Sequence, residues 1–122
     1  MEDAVEKELV DEAIIQQMIE DTDSEVMPML IDHYIAETLH RTQILDQAFV
    51  EQDIDVIKFE SHTLGSTSLA LGNRMLSNLA RKIEHLCVTD QKEAALALHR
   101  ELLSVVQHSV DALIQRKELG FS

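Results

Sequence analysis

Apolar residues recur at helical spacing in four long segments of this chain, and single dipeptides separate them: Gln52-Asp53, Gly72-Asn73 and Thr89-Asp90. Breaks this short force successive helices to run antiparallel. The pattern therefore predicts an all-α fold, an up-down-up-down antiparallel four-helix bundle. Composition agrees. Leu, Ile, Val, Ala, Glu and Gln dominate against three Phe, one Tyr, no Trp, three Gly and one Pro, a balance that favours helices over sheets. A chain of 122 residues suits one domain with one core, expected over 1–122 with the bundle at about 25–117.

A shorter amphipathic stretch, Val10 to Glu20, predicts an additional short N-terminal helix with Val10, Ile14 and Met18 on one face. Asp21-Thr22-Asp23-Ser24 offers capping side chains, and Pro28 is tolerable only near a helix start, so a second helix is expected at about 25–51. Its inward stripe reads Leu30, Ile31, Tyr34, Ile35, Thr38, Leu45, Ala48 and Phe49, with Arg41 turned elsewhere. Asp53 suits the cap of a third helix, about 54–71, which the αL-tolerant pair Gly72-Asn73 ends. The fourth, about 74–88, has the cleanest stripe, Leu76, Leu79, Ala80, Ile83, Leu86 and Cys87, and this assigns Cys87 to the core. Asp90 and Glu93 resemble a capping box for a last helix running to about Arg116.

Charge narrows the function classes. A net charge of −13 argues against nucleic acid and anionic membrane as partners, because both are bound by neutralising phosphates. The distribution is uneven. From Val56 to Ile83, Lys58, Arg74, Arg81 and Lys82 face Glu60 alone, a net of +3 that leaves −16 elsewhere. One cysteine allows no internal disulfide, and no apolar run approaches the roughly 20 residues that span a bilayer. Met1-Glu2-Asp3-Ala4-Val5-Glu6 is acidic where a secretory signal is basic, so a cytoplasmic protein is expected.

The basic stretch contains the chain's most informative run, His62-Thr63-Leu64-Gly65-Ser66-Thr67-Ser68-Leu69-Ala70-Leu71-Gly72. On the third helix Ile57, Ser61, Leu64, Ser68 and Leu71 form the core-facing seam, and His62 is one step off it. It shares the stripe Lys58, His62, Gly65, Ser66 and Leu69, which must border or face solvent. Glycine inside a helix costs about 1 kcal/mol relative to Ala, so Gly65 calls for a reason, and a clear approach to the imidazole is the simplest. Ser66 keeps the next turn small, Phe59 and Leu69 supply an apolar rim, and Lys58 puts a cation one turn away.

These residues resemble the histidine-containing phosphotransfer (HPt) domain of bacterial phosphorelays, whose pattern is close to His-x-Leu-Lys-Gly-Ser-Ser-x-x-Leu-Gly. His62, Leu64, Thr67, Ser68, Leu71 and Gly72 stand in matching places, and the resemblance in helix order and length covers nearly the whole chain. Two positions depart: Gly65 where the family usually has lysine, and Ser66 where it usually has glycine. The first removes a cation associated with the phosphoryl group, for which Lys58 is the candidate substitute. The resemblance implies a phosphorelay carrier that accepts a phosphoryl group on His62, at Nε2, from a receiver-domain aspartate and passes it to another receiver. Partners would be receiver domains of a hybrid sensor kinase or response regulators. No Gly-x-x-x-x-Gly-Lys-Ser/Thr run exists, so ATP binding and kinase activity are not expected. No cofactor of its own is expected; the receiver would bring Mg²⁺.

Two other readings compete. Glu37-x-x-His40 with His33 is an element of metal-binding bundles, but a second Glu-x-x-His is missing, so no metal site is expected. His33, His40, His85 and His108 read as solvated, and His99 as partly buried and hydrogen-bonded. An acidic helical adaptor without phosphotransfer would instead use Phe59, Leu69 and Met27-Pro28-Met29 as an apolar strip. A monomer is expected.

Overall fold

The computed structural model describes residues 8–121. The acidic Met1–Glu6 stretch that bore on localisation lies outside them. The described residues are all-helical and contain no strand. Six helices lie wholly within them: α1 Glu12–Asp21, α2 Met27–Glu51, α3 Ile54–Ala70, α4 Arg74–Val88, α5 Lys92–Leu96 and α6 His99–Glu118.

Local chemistry explains the helix ends. Gln52, Gly72 and Asp90 all sit in left-handed conformation, with φ of 58°, 82° and 61°. After each, the next N–H reaches back to close the helix: Asp53 to the Ala48 carbonyl at 2.9 Å, Asn73 to Ser68 at 2.9 Å and Gln91 to Leu86 at 2.8 Å. Asp53 then caps α3 as expected, its carboxylate accepting from the Val56 N–H at 3.3 Å.

Asp90 is a correction. It ends α4 rather than starting the next helix, and Gln91 precedes α5 without a side-chain cap. The last segment is also two helices, not one. Leu96, Leu98 and Leu102 all pack on the core, and a straight helix would put Leu96 and Leu98 on opposite faces, so the chain turns at Ala97-Leu98. The start of α2 differs too. Asp23 accepts from the Glu25 N–H at 3.1 Å and so closes a turn before the helix; Val26 takes the cap position, with Pro28 in the first turn.

Helices α2, α3, α4 and α6 pack in a closed ring, each against two of the others, and α5 lies on α4. Inside the ring Leu45, Phe49, Ile57, Leu64, Leu76, Ile83, Leu102 and Val106 form the main core, which includes Cys87. Burial pushes the Cys87 thiol up, with Lys58 opposing and Glu84 adding, which disfavours the thiolate form. Of the stripe expected on α2, Leu30 and Ile35 are half-buried and the rest buried. Arg41 is the second correction. It continues that stripe and donates to the buried Glu60 carboxylate at 2.9 Å, bridging α2 and α3.

A second cluster seats α1. Ile15 packs with Met27, Ile31, Tyr34, Leu113 and Phe121. The segment before α1 is tied to the α3–α4 turn: the Asp11 N–H donates to the Gly72 carbonyl at 2.9 Å, and Asn73 Nδ2 donates to Leu9 at 2.6 Å. A Cβ on Gly72 would lie 3.1 Å from the Asp11 nitrogen, so glycine serves the close approach as well as the helix end. Arg116 donates to both Glu12 oxygens, at 2.7 and 3.0 Å, and lies over the Phe121 ring.

The Arg116 hydrogen bonds hold the Glu12 carboxyl below its ordinary 4.5, burial opposing and Gln16 assisting. A depressed carboxyl stabilises the fold above its unfolded pKa, and that contribution is lost as pH falls through the folded value. The group is half exposed, so the effect is small. Glu12→Gln should lower the melting temperature at pH 7 by roughly 1–3 °C. In thermal melts from pH 7 to 3, the gap from wild type should begin to narrow near 4.5 and vanish as pH falls through the lower folded value.

Candidate functional site

The register of α3 sets the site. Ile57, Ser61, Leu64 and Ser68 are buried, and His62, one position round the helix from Ser61, is 67% exposed at its side chain. Lys58, Phe59, Ser66 and Leu69 are also exposed, with Phe59 at 65% and Leu69 at 42%. The imidazole thus stands on an open face, flanked by a cation and two apolar side chains.

Across the α3–α4 contact, partners step backward along α4 as α3 advances. His62 meets Glu84, while Gly65 meets Arg81 and Ser77. His62 Nδ1 lies 2.7 Å from Glu84 Oε2. A carboxylate only accepts, so Nδ1 carries the proton and donates. In the neutral ring Nε2 then keeps its lone pair and has no partner among the described residues. Glu84 is 26% exposed and α4 carries it, so its position is set by helix packing. This orienting carboxylate was not among the residues expected at the site.

Gly65 is the third correction. It is buried, not open to an approaching partner. Its carbonyl accepts the Ser77 hydroxyl at 2.7 Å, and a Cβ there would lie 3.0 Å from Arg81 Cγ. The glycine lets α4 and the Arg81 stem come close. Arg81 Nε in turn donates to Ser77 Oγ at 3.4 Å.

The other histidines have separate surroundings. His33, His40, His85 and His108 are exposed. His99 is half-buried, stacked on Phe49 with ring centres 4.7 Å apart and bonded to Asp46 at 2.6 Å. Glu37 pairs with Arg41, and among the described residues no group of three His, Cys, Asp or Glu is placed to hold a metal ion. None of the described helices is long and apolar enough to cross a membrane. Met27, part of the strip an adaptor would use, is in the core.

The model of the Hpt domain family matches residues 29–116, well over half of the chain. The chain belongs to the Hpt domain family. Proteins of this class carry phosphoryl groups on histidine in phosphorelays, acting as carriers rather than kinases, and interact with receiver domains. Neither a curated protein nor a solved structure matched it.

The His62–Glu84 geometry has a direct spectroscopic consequence. In ¹⁵N NMR of the neutral ring, wild-type His62 should show Nδ1 protonated and Nε2 bare. Glu84→Ala should shift the proton toward Nε2, with the helical fold retained; an unchanged tautomer would remove Glu84's orienting role.

Proposed function

We propose that His62 is the phosphoryl acceptor of a carrier that takes the group from one receiver-domain aspartate and gives it to another. The observation that carries this reading is the exposed His62 ring, held at Nδ1 by Glu84 so that Nε2 faces outward with its lone pair available. Nε2 attacks the phosphorus of the aspartyl phosphate. The N–P bond forms, the bond from phosphorus to the carboxyl oxygen breaks, and that electron pair leaves with the aspartate. Nδ1 keeps its proton, so the phosphorylated ring is cationic, and the Glu84 carboxylate balances it. Onward transfer is the reverse: an incoming carboxylate attacks phosphorus and the N–P electron pair returns to Nε2. No proton has to move at the reacting nitrogen. Both linkages are high in energy, which makes the exchange reversible.

Phosphoryl transfer is driven by positioning and charge neutralisation, to which Mg²⁺ commonly contributes. Mg²⁺ is taken as the receiver's contribution, with Glu84, the carboxylate bonded to the imidazole, serving to hold Nδ1. Phe59 and Leu69 give that receiver an apolar rim, and Ser66 keeps the next turn low. Lys58 adds positive charge on the same face.

The same reading takes the chain as one domain over 1–122, working in the cytoplasm as a monomer. It takes the ring of α2, α3, α4 and α6 as an up-down-up-down bundle with α1 laid against it. The short breaks between α2 and α3 and between α3 and α4, with the backward-stepping α3–α4 contacts, support that topology.

Incubation with a phosphorylated receiver domain and Mg²⁺ should place acid-labile phosphate on the wild type and none on His62→Gln. Absence of label on the wild type would leave the adaptor reading in its place, and label on the variant would move the acceptor to another residue.

A further inference from the structure

We propose that Arg81 on α4 is the residue that meets the charge of the phosphoryl group on His62, and that Gly65 is present to let it lie there. This rests on His62 being the acceptor.

A phosphoryl group brings roughly −1.5 to −2 of charge near neutral pH, and it arrives beside Glu84, which is already bonded to the ring. The cations near this face are few. On α2, Arg41 is engaged by Glu37 and Glu60. On α3, Lys58 lies one turn before His62, where its charge acts on Cys87, and no hydrogen bond holds it among the described residues. On α4, Lys82 is exposed two positions from Glu84, and Arg81 lies one turn before Glu84.

Of these, Arg81 is both anchored and unspent. Its stem crosses α3 at Gly65, three residues after His62, with Cγ where a Cβ of residue 65 would be crowded at 3.0 Å. Its Nε donates to Ser77 Oγ, which itself donates to the Gly65 carbonyl. No carboxylate among the described residues pairs with the guanidinium, and the residue is exposed. Its two terminal nitrogens are thus available as a fork, the geometry that matches phosphate oxygens, at a reduced ordering cost because the stem is already placed.

The identity of the crowding atom supports this assignment. The three atoms nearest a Cβ at residue 65 all belong to Arg81: Cγ at 3.0 Å, Nε at 3.7 Å and the backbone nitrogen at 3.8 Å, so the glycine admits the stem of an exposed cation together with its helix.

The test uses phosphoramidate as a small phosphoryl donor, so no protein partner is involved: Nε2 attacks phosphorus, the P–N bond breaks and ammonia leaves. Labelling rate and phosphohistidine lifetime are followed by ³¹P NMR, with circular dichroism reporting the fold. Arg81→Gln keeps a stem over Gly65 and removes the charge. It should slow labelling or shorten the lifetime by roughly five-fold, the scale of one exposed charge-assisted contact. Arg81→Lys should recover part of this. Gly65→Lys combined with Arg81→Ala should also recover part, because the crowding stem is gone and a cation is returned to the same space. Lys58→Ala should have the smaller effect. Wild-type kinetics in Arg81→Gln, or a larger loss in Lys58→Ala, would overturn the assignment. Failure of the wild type to label, or labelling of His62→Gln, would instead overturn the acceptor reading.

Discussion

The close contact between α3 and α4 at Gly65 is the constraint on which the rest of the site depends. A buried Ser77 hydroxyl donates to the Gly65 carbonyl at 2.7 Å, so the two backbones meet where neither carries a bulky side chain. That spacing lets Glu84 reach the His62 ring and lays the Arg81 stem across α3. On the opposite flank the Arg41–Glu60 pair joins α3 to α2. A buried carboxylate is costly unless paired, so this pair disfavours rotations of α3 that would separate it. Rotation of α3 would bury His62, and the contacts on both flanks resist it.

Much of this was legible from residue spacing because the information is local. Helix ends are written in short-range chemistry, which is why Asp53 as a cap and Gly72 as a stop are readable from neighbours alone. The exposed stripe of Lys58, His62, Ser66 and Leu69 follows from the 3.6-residue repeat. Asp90 shows the limit even there. Aspartate can both cap a helix start and tolerate the left-handed stop, and the Gln91 to Leu86 hydrogen bond accompanies the second outcome.

What was not legible depends on two helices meeting. Glu84 is 22 residues from His62, and a basic stretch counted from Val56 to Ile83 stops one residue short of it. Periodicity placed Gly65 on the border between seam and surface, and only the position of α4 decides that it is buried. Arg41 read as an outward charge because its acidic partner is on another helix. In each case the residue type was visible and its partner was not.

The bond from Nδ1 to Glu84 leaves the proposed carrier with one entrance. A ring held at one nitrogen presents only the other, so phosphate would arrive and depart at the same atom from the same face. Donor and recipient would then occupy that face in turn, giving ping-pong exchange in which one receiver must leave before the next can dock. Flux through such a relay would be set by how fast receivers trade places, and an excess of either unphosphorylated partner would act as a competitive brake.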